Sequence, residues 1–217
     1  MLGGILKDLF RARAATAESS RRRVLNVGGN SKDIPIPRHY EGWEHLLLDI
    51  DRRGKPDLVC DARRLETLPA AQFDAVYCSH NLEHYYPHDG VKVLKGFLHV
   101  LKPDGFAEIR VPDILEVLQR VVNSRMDISD VLYESPAGPI SPHEVLYGFG
   151  KEIERSGQDF YAHKTGFTLK ALRRVLERAG FLKILATDVP NAFELRAFAF
   201  KTEPTAEQRR ILGLPQP

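Results

Sequence analysis

Short apolar runs, each ended by glycine or by polar residues, recur along the first half of the chain. An unbroken apolar run of this length is typical of a strand that is buried on both faces, as in a parallel sheet. The pattern therefore predicts five buried strands, at residues 24–27, 45–50, 57–60, 73–79 and 106–111.

Segments with helical periodicity lie between the later strands and after the last of them. Apolar residues at helical spacing predict a helix within residues 81–101, broken or offset near its Pro-His-Asp-Gly segment, and another helix at residues 114–122. Thr168 suits an N-cap and Gly180 a helix end, so residues 168–179 are predicted to form a third helix.

Two strand-like runs close the pattern, at residues 182–189 and 193–201. Only Pro190-Asn191-Ala192 joins them. So short a connection requires an antiparallel hairpin, because a parallel pair needs a crossover of about a dozen residues or more.

Two segments lack regular periodicity. Pro35 and Pro37 disfavour a long helix in residues 31–43, directly after the first strand. Residues 126–166 hold prolines and glycines together with aromatic and histidine side chains. A loop-rich region of this length inside a compact domain is usually functional or disordered, and its aromatic content favours a cap that covers a substrate.

Length and composition favour a single domain. With 217 residues and 43% hydrophobic content, the chain can bury one sizeable core. We place the domain at residues 23–201, after an N-terminal helix and linker at 1–22 and before a peripheral tail at 202–217. The apolar stripe of the first segment suits packing on its own domain, and a partner chain, as in a homodimer, or a membrane surface is the alternative.

Charge and cysteine content argue against several classes of protein. The net charge of +2 gives no overall electrostatic footprint for nucleic acid. No apolar stretch reaches membrane-spanning length, and the N-terminus lacks the pattern of a signal peptide. Cys60 and Cys78 fall on strands that are not expected to be neighbours, so we expect no disulfide and a reducing, cytoplasmic setting.

The first strand ends in Gly28-Gly29-Asn30. Glycine lets the backbone adopt positive φ and leaves no Cβ between the chain and a ligand. Ligands of open α/β sheets lie outside the carboxyl ends of the strands, so we expect this turn to form the floor of a nucleotide-type pocket. Nicotinamide-dependent oxidoreductases also bind their cofactor at a glycine turn that follows a strand. Their turn contains a third glycine and leads directly into a helix, and residues 31–37 offer neither.

Three stretches carry a family resemblance. FDAVYCSHNLEH, HVLKPDGFAEIRVPD and HKTGFTLKALRRVLERAGF resemble the class I S-adenosylmethionine (SAM)-dependent methyltransferases, in particular their small type 11 branch. The resemblance runs from Val24 to Lys201. It implies an α/β, Rossmann-like sheet of order 3-2-1-4-5-7-6 with the seventh strand antiparallel, and SAM as the cofactor. The GxGxG turn of the family is reduced here to a single glycine pair.

The resemblance also implies a cofactor site. The methionine end of SAM would lie over the glycine turn, and Asp49 would bind the ribose hydroxyls, with Asp51 as the alternative. Asp61 would meet the adenine amine, unless it only caps the segment that follows it. The implied cofactor-binding residues are Gly28, Gly29, Asn30, Asp49, Ile50, Asp61, Ala62, Ser79 and His80.

His80, Glu83 and His84 follow the fourth strand and would share one helix face if a helix has already begun there. The order HxxEH also occurs in inverzincin metalloproteases, but here it follows a buried strand of a nucleotide-type fold. Three roles stay open for this group: structural hydrogen bonding, acid–base catalysis and, as in some methyltransferases, metal binding. His80 would favour a zinc-like ion over magnesium, and we assign no metal.

Methyl transfer to a hydroxyl can require a base, and histidine titrates near neutral pH. The candidate catalytic residues are His84, His143, His163 and Asp113. We therefore expect SAM-dependent methylation, with O-methylation of a small-molecule or glycan-type acceptor. The alternative is a non-catalytic methyltransferase-like domain that serves as a binding or scaffold module.

Overall fold

The computed structural model describes residues 21–135 and 138–215. The strands are β1 Arg23–Val27, β2 Glu44–Asp49, β3 Leu58–Val59, β4 Phe73–Ser79, β5 Leu101–Pro112, β6 Tyr133–Ser135, β7 Gly138–Ile140, β8 Lys183–Val189 and β9 Glu194–Phe200. The helices are α1 Pro87–Val100, α2 Ile114–Ser124, α3 Pro142–Tyr147, α4 Gly150–Ser156, α5 Leu169–Ala179 and α6 Ala206–Leu212.

Seven strands form one sheet with the order β3-β2-β1-β4-β5-β9-β8. The first five strands of this sheet are parallel, and β9 runs antiparallel to both β5 and β8. Counted along the chain, β8 and β9 are the sixth and seventh strands of this sheet, so its order is 3-2-1-4-5-7-6. The predicted order with an antiparallel seventh strand is confirmed. Strand order reverses between β1 and β4, so their carboxyl ends border the crevice in which ligands of such sheets bind.

One face of the sheet carries the larger core. Leu25 and Val76 lie there with Leu94 and Phe97 of α1 and Leu176 of α5, and all five side chains are fully buried. Such burial is the main source of the stability of this layer, at about 1.5–3 kcal/mol for each large apolar side chain.

The opposite face is covered largely by aromatic side chains. Tyr40 and Trp43 pack on Phe106, with ring centroids 6.4 Å and 6.5 Å away. Among the described residues between β1 and β2, the only helical element is the 3-10 turn Arg38–Tyr40, as the two prolines of that segment predict. Leu212 of α6 packs against the same cluster.

The helix boundaries follow local signals. The Thr168 side chain accepts a hydrogen bond from the Ala171 amide at the start of α5, and Gly180 ends the helix in the left-handed conformation, both as predicted. After β4 the structure differs in detail from the predicted helix. Residues Leu82–His84 form a separate 3-10 turn, and α1 begins only at Pro87.

The cap at residues 126–166 is more regular than its sequence indicates. It contains the β6–β7 hairpin and the helices α3 and α4, which are only six and seven residues long. Helices this short show no readable periodicity, which explains why sequence analysis missed them. Leu132 and Val145 of the cap pack with Val117 of α2 and with Phe193 in a small core of their own.

Of the two segments predicted outside the domain, the structure describes most of the C-terminal tail but only the last two residues of the N-terminal segment. The predicted N-terminal helix lies outside the described residues. The tail after residue 201 includes α6, which begins with a capping box between Thr205 and Gln208.

Cys60 and Cys78 both carry free thiols. Within the two described ranges, no helix is both long and apolar enough to cross a membrane.

Candidate active site

A cavity of about 420 Å³ lies beyond the carboxyl ends of β1, β2 and β4. Its walls include Gly28, Asn30, Asp49, Asp61 and Tyr161. We call it the strand-tip cavity. It occupies the crevice that the topology predicts. Gly28 after β1, Asp49 at the end of β2 and Asp61 after β3 all lie in its wall.

The glycine turn is shaped by two asparagine side chains. Gly28 has a φ of +74°, and a Cβ there would lie 2.1 Å from the Asn81 side chain, far inside contact distance. A Cβ on Gly29 would lie 2.2 Å from the amide nitrogen of Asn26. Both glycines are therefore required by the packing of the protein itself. The Asn81 Oδ1 atom is buried and accepts no hydrogen bond from any residue that the structure describes.

Asp49 is a buried carboxylate at the tip of β2 and lines the strand-tip cavity. Its two oxygens accept hydrogen bonds from the backbone amides of Asn30, at 2.9 Å, and Asp51, at 2.8 Å. These bonds connect the turns after β1 and β2. A carboxylate has about four lone-pair sites, so Asp49 retains acceptor capacity for a ligand.

Asp61 has a structural role that competes with ligand binding. It is the N-cap of the 3-10 helix Ala62–Thr67 and accepts a hydrogen bond from the Arg63 amide. The Arg63 guanidinium donates to both carboxylate oxygens, to Oδ1 at 3.1 Å and to Oδ2 at 2.6 Å. Arg63 lowers the pKa of Asp61 against the desolvation that raises it. Asp61 lines the strand-tip cavity, but Arg63 already occupies its oxygens.

The cap closes over the cavity through Tyr161. Its hydroxyl donates to an Asp51 oxygen at 2.7 Å, and Arg53 donates to the same hydroxyl at 2.7 Å. Arg53 also pairs with Asp51 at 2.6 Å and with Glu152 of α4 at 3.1 Å. We call Asp51, Arg53, Glu152 and Tyr161 the cap latch. Asp51, the alternative ribose ligand, is therefore engaged in holding the cap.

The latch shifts the pKa of its members. Hydrogen bonding from Arg53 holds the pKa of Asp51 well below its ordinary value. Burial, together with the hydrogen bond to Asp51, raises the pKa of Tyr161 to about 12. The latch is therefore intact over the whole neutral pH range, with an ionised carboxylate and a protonated phenol.

A second cavity of about 200 Å³ adjoins the first beneath the cap. It shares His80, His84 and Tyr161 with the strand-tip cavity. Tyr133 and Phe193 lie on another part of its wall, stacked with ring centroids 5.7 Å apart. We call it the histidine cavity, because His80, His84 and His163 line it.

His84 and His163 face each other across the histidine cavity, with ring centroids 4.8 Å apart. The Nδ1 atom of His84 bonds to the Ala162 carbonyl at 3.1 Å, and that of His163 bonds to the Val145 carbonyl at 2.8 Å. A carbonyl oxygen only accepts, so each Nδ1 carries the proton. Both Nε2 atoms therefore have a free lone pair. Burial lowers the pKa of His163, which keeps its ring neutral.

Glu83 lies beside this pair and is 1% exposed. Neither of its carboxylate oxygens accepts a hydrogen bond from any residue in the described ranges. The closest basic group is His80, whose Nδ1 lies 3.6 Å from one oxygen. Desolvation lowers the pKa of His80, but Glu194 and Glu83 together raise it to about 10. His80 is thus a cation shared between two carboxylates.

The structure brings some of the predicted site residues together and separates others. Gly28, Asn30, Asp49, Ile50, Asp61 and His80 line the strand-tip cavity. Gly29, Ala62 and Ser79 are not among the residues of its wall. Gly29 leaves space for the Asn26 side chain, and Ala62 is buried as the first residue of the 3-10 helix that Asp61 caps.

Two of the four candidate catalytic residues lie apart from the histidine pair. His143 lines a different surface cavity, with Ser129 and Lys151. Asp113 caps α2 by accepting hydrogen bonds from the Leu115 and Glu116 amides. Asp113 is 7% exposed and lines neither of the two cavities. The structure therefore gives Asp113 a helix-capping position directly after β5, and it places His143 at a separate cavity.

Sequence analysis missed two residues that shape the site. Asn81 directly follows the predicted strand end and His80, so its position was a usable signal. Tyr161 carried no local signal, because its partners Asp51 and Arg53 are distant in sequence. Its role depends on the cap folding back over the end of β2.

Most of the chain is similar in sequence to one protein family. Residues 5–185 match the family model described as a methyltransferase domain. No curated protein is a significant match in sequence.

Solved structures share the fold at low sequence identity. A SAM-dependent methyltransferase from Archaeoglobus fulgidus is 18% identical with a TM-score of 0.51, over 89% of this chain and 94% of that chain. A structure of SAM-dependent methyltransferases from Methanosarcina mazei is 16% identical with a TM-score of 0.52, over 83% of this chain and 92% of that chain. A protein from Pyrococcus horikoshii is 17% identical with a TM-score of 0.55, over 88% of this chain and 86% of that chain.

Proposed function

The chain belongs to the methyltransferase-domain family, and on that basis we propose that the strand-tip cavity binds SAM and that the histidine cavity binds a small acceptor bearing a hydroxyl. The family and the shared sheet identify SAM as the cofactor. The placement of cofactor and acceptor in the two cavities, and O-methylation as the reaction, are our proposal. One observation carries it: the two cavities adjoin through His80, His84 and Tyr161.

The residues of the strand-tip cavity fit SAM. Asp49 keeps free acceptor sites where the ribose hydroxyls of a nucleoside would lie at the end of β2. The buried Oδ1 of Asn81 is an unused acceptor in the wall, beside the glycine turn. Five aspartates line the cavity against Arg63, Lys164 and His80, so its wall keeps a net negative charge, which favours a cationic ligand.

SAM supplies an electrophilic methyl group, so the main tasks of the protein are to align the acceptor and exclude water. The cap latch performs the second task by holding Tyr161 over the strand-tip cavity. His84 is the residue best placed for the first task, because it lines both cavities and its Nε2 has a free lone pair.

The histidine cavity suits a small acceptor. Its volume of about 200 Å³ limits it to a compact molecule or a single sugar unit. Stacked Tyr133 and Phe193 offer a flat apolar surface, and Glu144 lies on the same wall. An acceptor with one apolar face and a hydroxyl directed at the histidines matches this wall.

The test is an acceptor screen followed by a variant. Release of S-adenosylhomocysteine (SAH) is measured with panels of small alcohols, phenols and monosaccharides. We expect His84→Ala to lower turnover by about 100-fold, the size typical of losing a general base or an orienting group, while SAM affinity stays within about threefold. Full turnover in His84→Ala would refute the role given to His84. SAM binding without turnover on any panel would favour the scaffold alternative.

A further inference from the structure

The geometry points to a divalent metal-ion site formed by Glu83, His84 and His163, which is open to the histidine cavity. One carboxylate oxygen of Glu83 and one ring nitrogen of each histidine lie within 4.8 Å of one another. Sequence analysis considered His80 with Glu83 and His84 and assigned no metal. The structure replaces His80 with His163, which comes from the cap.

The first argument is that the Glu83 carboxylate is buried and, among the described residues, has only a long ion pair, with His80. It is 1% exposed and accepts no hydrogen bond from the described residues. Removing a carboxylate from water without hydrogen bonds is costly, and buried charges are normally paired or bound to a metal. His80 lies 3.6 Å away, beyond hydrogen-bond distance, and is closer to Glu194, at 3.2 Å. The Glu83 oxygens therefore have unused capacity for a cation.

The second argument is the orientation of the two histidines. Metal-binding histidines almost always donate their other ring N–H to a carbonyl or carboxylate, which fixes the tautomer and the ring. His84 and His163 do so through the carbonyls of Ala162 and Val145, at 3.1 Å and 2.8 Å. Each Nε2 atom is thus left without a protein partner in these bonds and can bind a metal ion.

The backbone holds the cluster together from two distant parts of the chain. The amides of Lys164 and Thr165 both donate to the Glu83 carbonyl, at 2.8 Å and 3.1 Å. These bonds dock the irregular cap segment that carries His163 onto the 3-10 turn that carries Glu83 and His84. The ligand set is therefore preorganised by the fold.

The donor set indicates which ion would bind. Two imidazoles and one carboxylate suit zinc and its transition-metal neighbours, whereas magnesium prefers oxygen ligands. Tetrahedral zinc has bonds of about 2.0–2.1 Å, which place its ligand atoms about 3.3 Å apart. Small side-chain rotations would close the observed spacing. Three protein ligands leave at least one position open, as in catalytic zinc sites.

The open position faces the histidine cavity, where an oxygen atom of a bound molecule would complete the coordination. If the proposed function is correct, on which this sentence alone rests, that atom is the acceptor hydroxyl, and His84 then orients it by holding the ion rather than by accepting its proton. Metal binding itself requires neither SAM nor the acceptor, so the two proposals fail independently.

The experiment uses the full chain without an affinity tag, treated with a chelator and dialysed. Zn²⁺ is titrated by calorimetry, and Co²⁺ is added separately to record visible absorption. We expect one ion per chain and an intense Co²⁺ spectrum. Glu83→Gln and His163→Ala should each weaken Zn²⁺ binding by about 100-fold or more, because only two protein ligands remain.

His143→Ala is the matched control, since it removes a cap histidine that lines a different cavity. It should bind Zn²⁺ as the wild type does. Circular dichroism and SAM calorimetry on the same samples establish that each variant is folded. A wild-type protein that binds neither ion would overturn the site, and so would folded Glu83→Gln and His163→Ala variants that both bind Zn²⁺ like the wild type.

Discussion

At the scale of single residues, Asp49 carries the most specific cofactor assignment. It lies at the tip of β2, lines the strand-tip cavity and keeps free acceptor sites. Hydrogen bonds to a charged group contribute about 1.5–3 kcal/mol each. Losing two of them in Asp49→Ala should therefore weaken SAM binding by about 100-fold or more.

Calorimetric titration of SAM into Asp49→Ala measures this loss. Asp104→Ala is a suitable control, because Asp104 is an exposed aspartate at the opposite end of the sheet, near the start of β5. Unchanged affinity in the Asp49 variant would show that the ribose assignment is wrong.

Asp61 illustrates a residue for which the structure favours the simpler of two interpretations. It caps the 3-10 helix Ala62–Thr67, and Arg63 engages its oxygens. Loss of an N-cap usually costs about 1 kcal/mol. Asp61→Ala should lower the free energy of unfolding by about that amount, measured by urea denaturation.

Asp61→Asn is the comparison, because asparagine is an equally good N-cap. It should retain most of the stability that the alanine variant loses. Equal stability of the alanine variant and the wild type would mean that the cap contributes nothing.

The strand-tip residues were predictable because their signal is local. Asp49 and Asp61 each end an apolar run, and the carboxyl ends of parallel strands meet at one edge of a sheet. The glycines carry an additional packing constraint that the sequence did not indicate. Asn26 and Asn81 occupy the space next to them, and no sequence pattern announces such contacts.

At the scale of elements, the cap and its latch could not be predicted in detail. The strands and the long helices α1 and α5 have readable periods, and the hairpin β8–β9 follows from its short connection. The helices α3 and α4 are too short for such signals. Their positions depend on tertiary contacts, such as the pair between Arg53 and Glu152.

The cap latch has a pH dependence whose sign follows from Tyr161. Its pKa is raised from 10.0 to about 12 in the folded protein. The phenol therefore adds stability that is fully present below pH 10 and is lost as the pH rises toward 12. The stability advantage of wild type over Tyr161→Phe should be constant at neutral pH and should shrink across that alkaline range.

Urea denaturation of both proteins at several pH values measures this difference. The phenylalanine variant is its own control, because all other titrating groups are shared. A difference that grew with pH, or that did not change between pH 10 and 12, would contradict the hydrogen bond from Tyr161 to Asp51.

At the scale of the whole molecule, the site is an assembly of distant segments. The topology brings the tips of β1, β2 and β4 together, and the cap then adds Tyr161 to one cavity and His163 to the other. The first step was predictable from the sequence. The pairing of His84 with His163 was not, because it depends on how residues 162–165 dock on the turn after β4.

The central claim is that the strand-tip cavity is a SAM site, and its most direct test is calorimetry with SAM and its product SAH. The account predicts one binding site per chain with a Kd between about 1 µM and about 1 mM, the range in which enzymes usually hold their substrates. Absence of binding heat for both compounds at several millimolar, in protein shown to be folded, would contradict it.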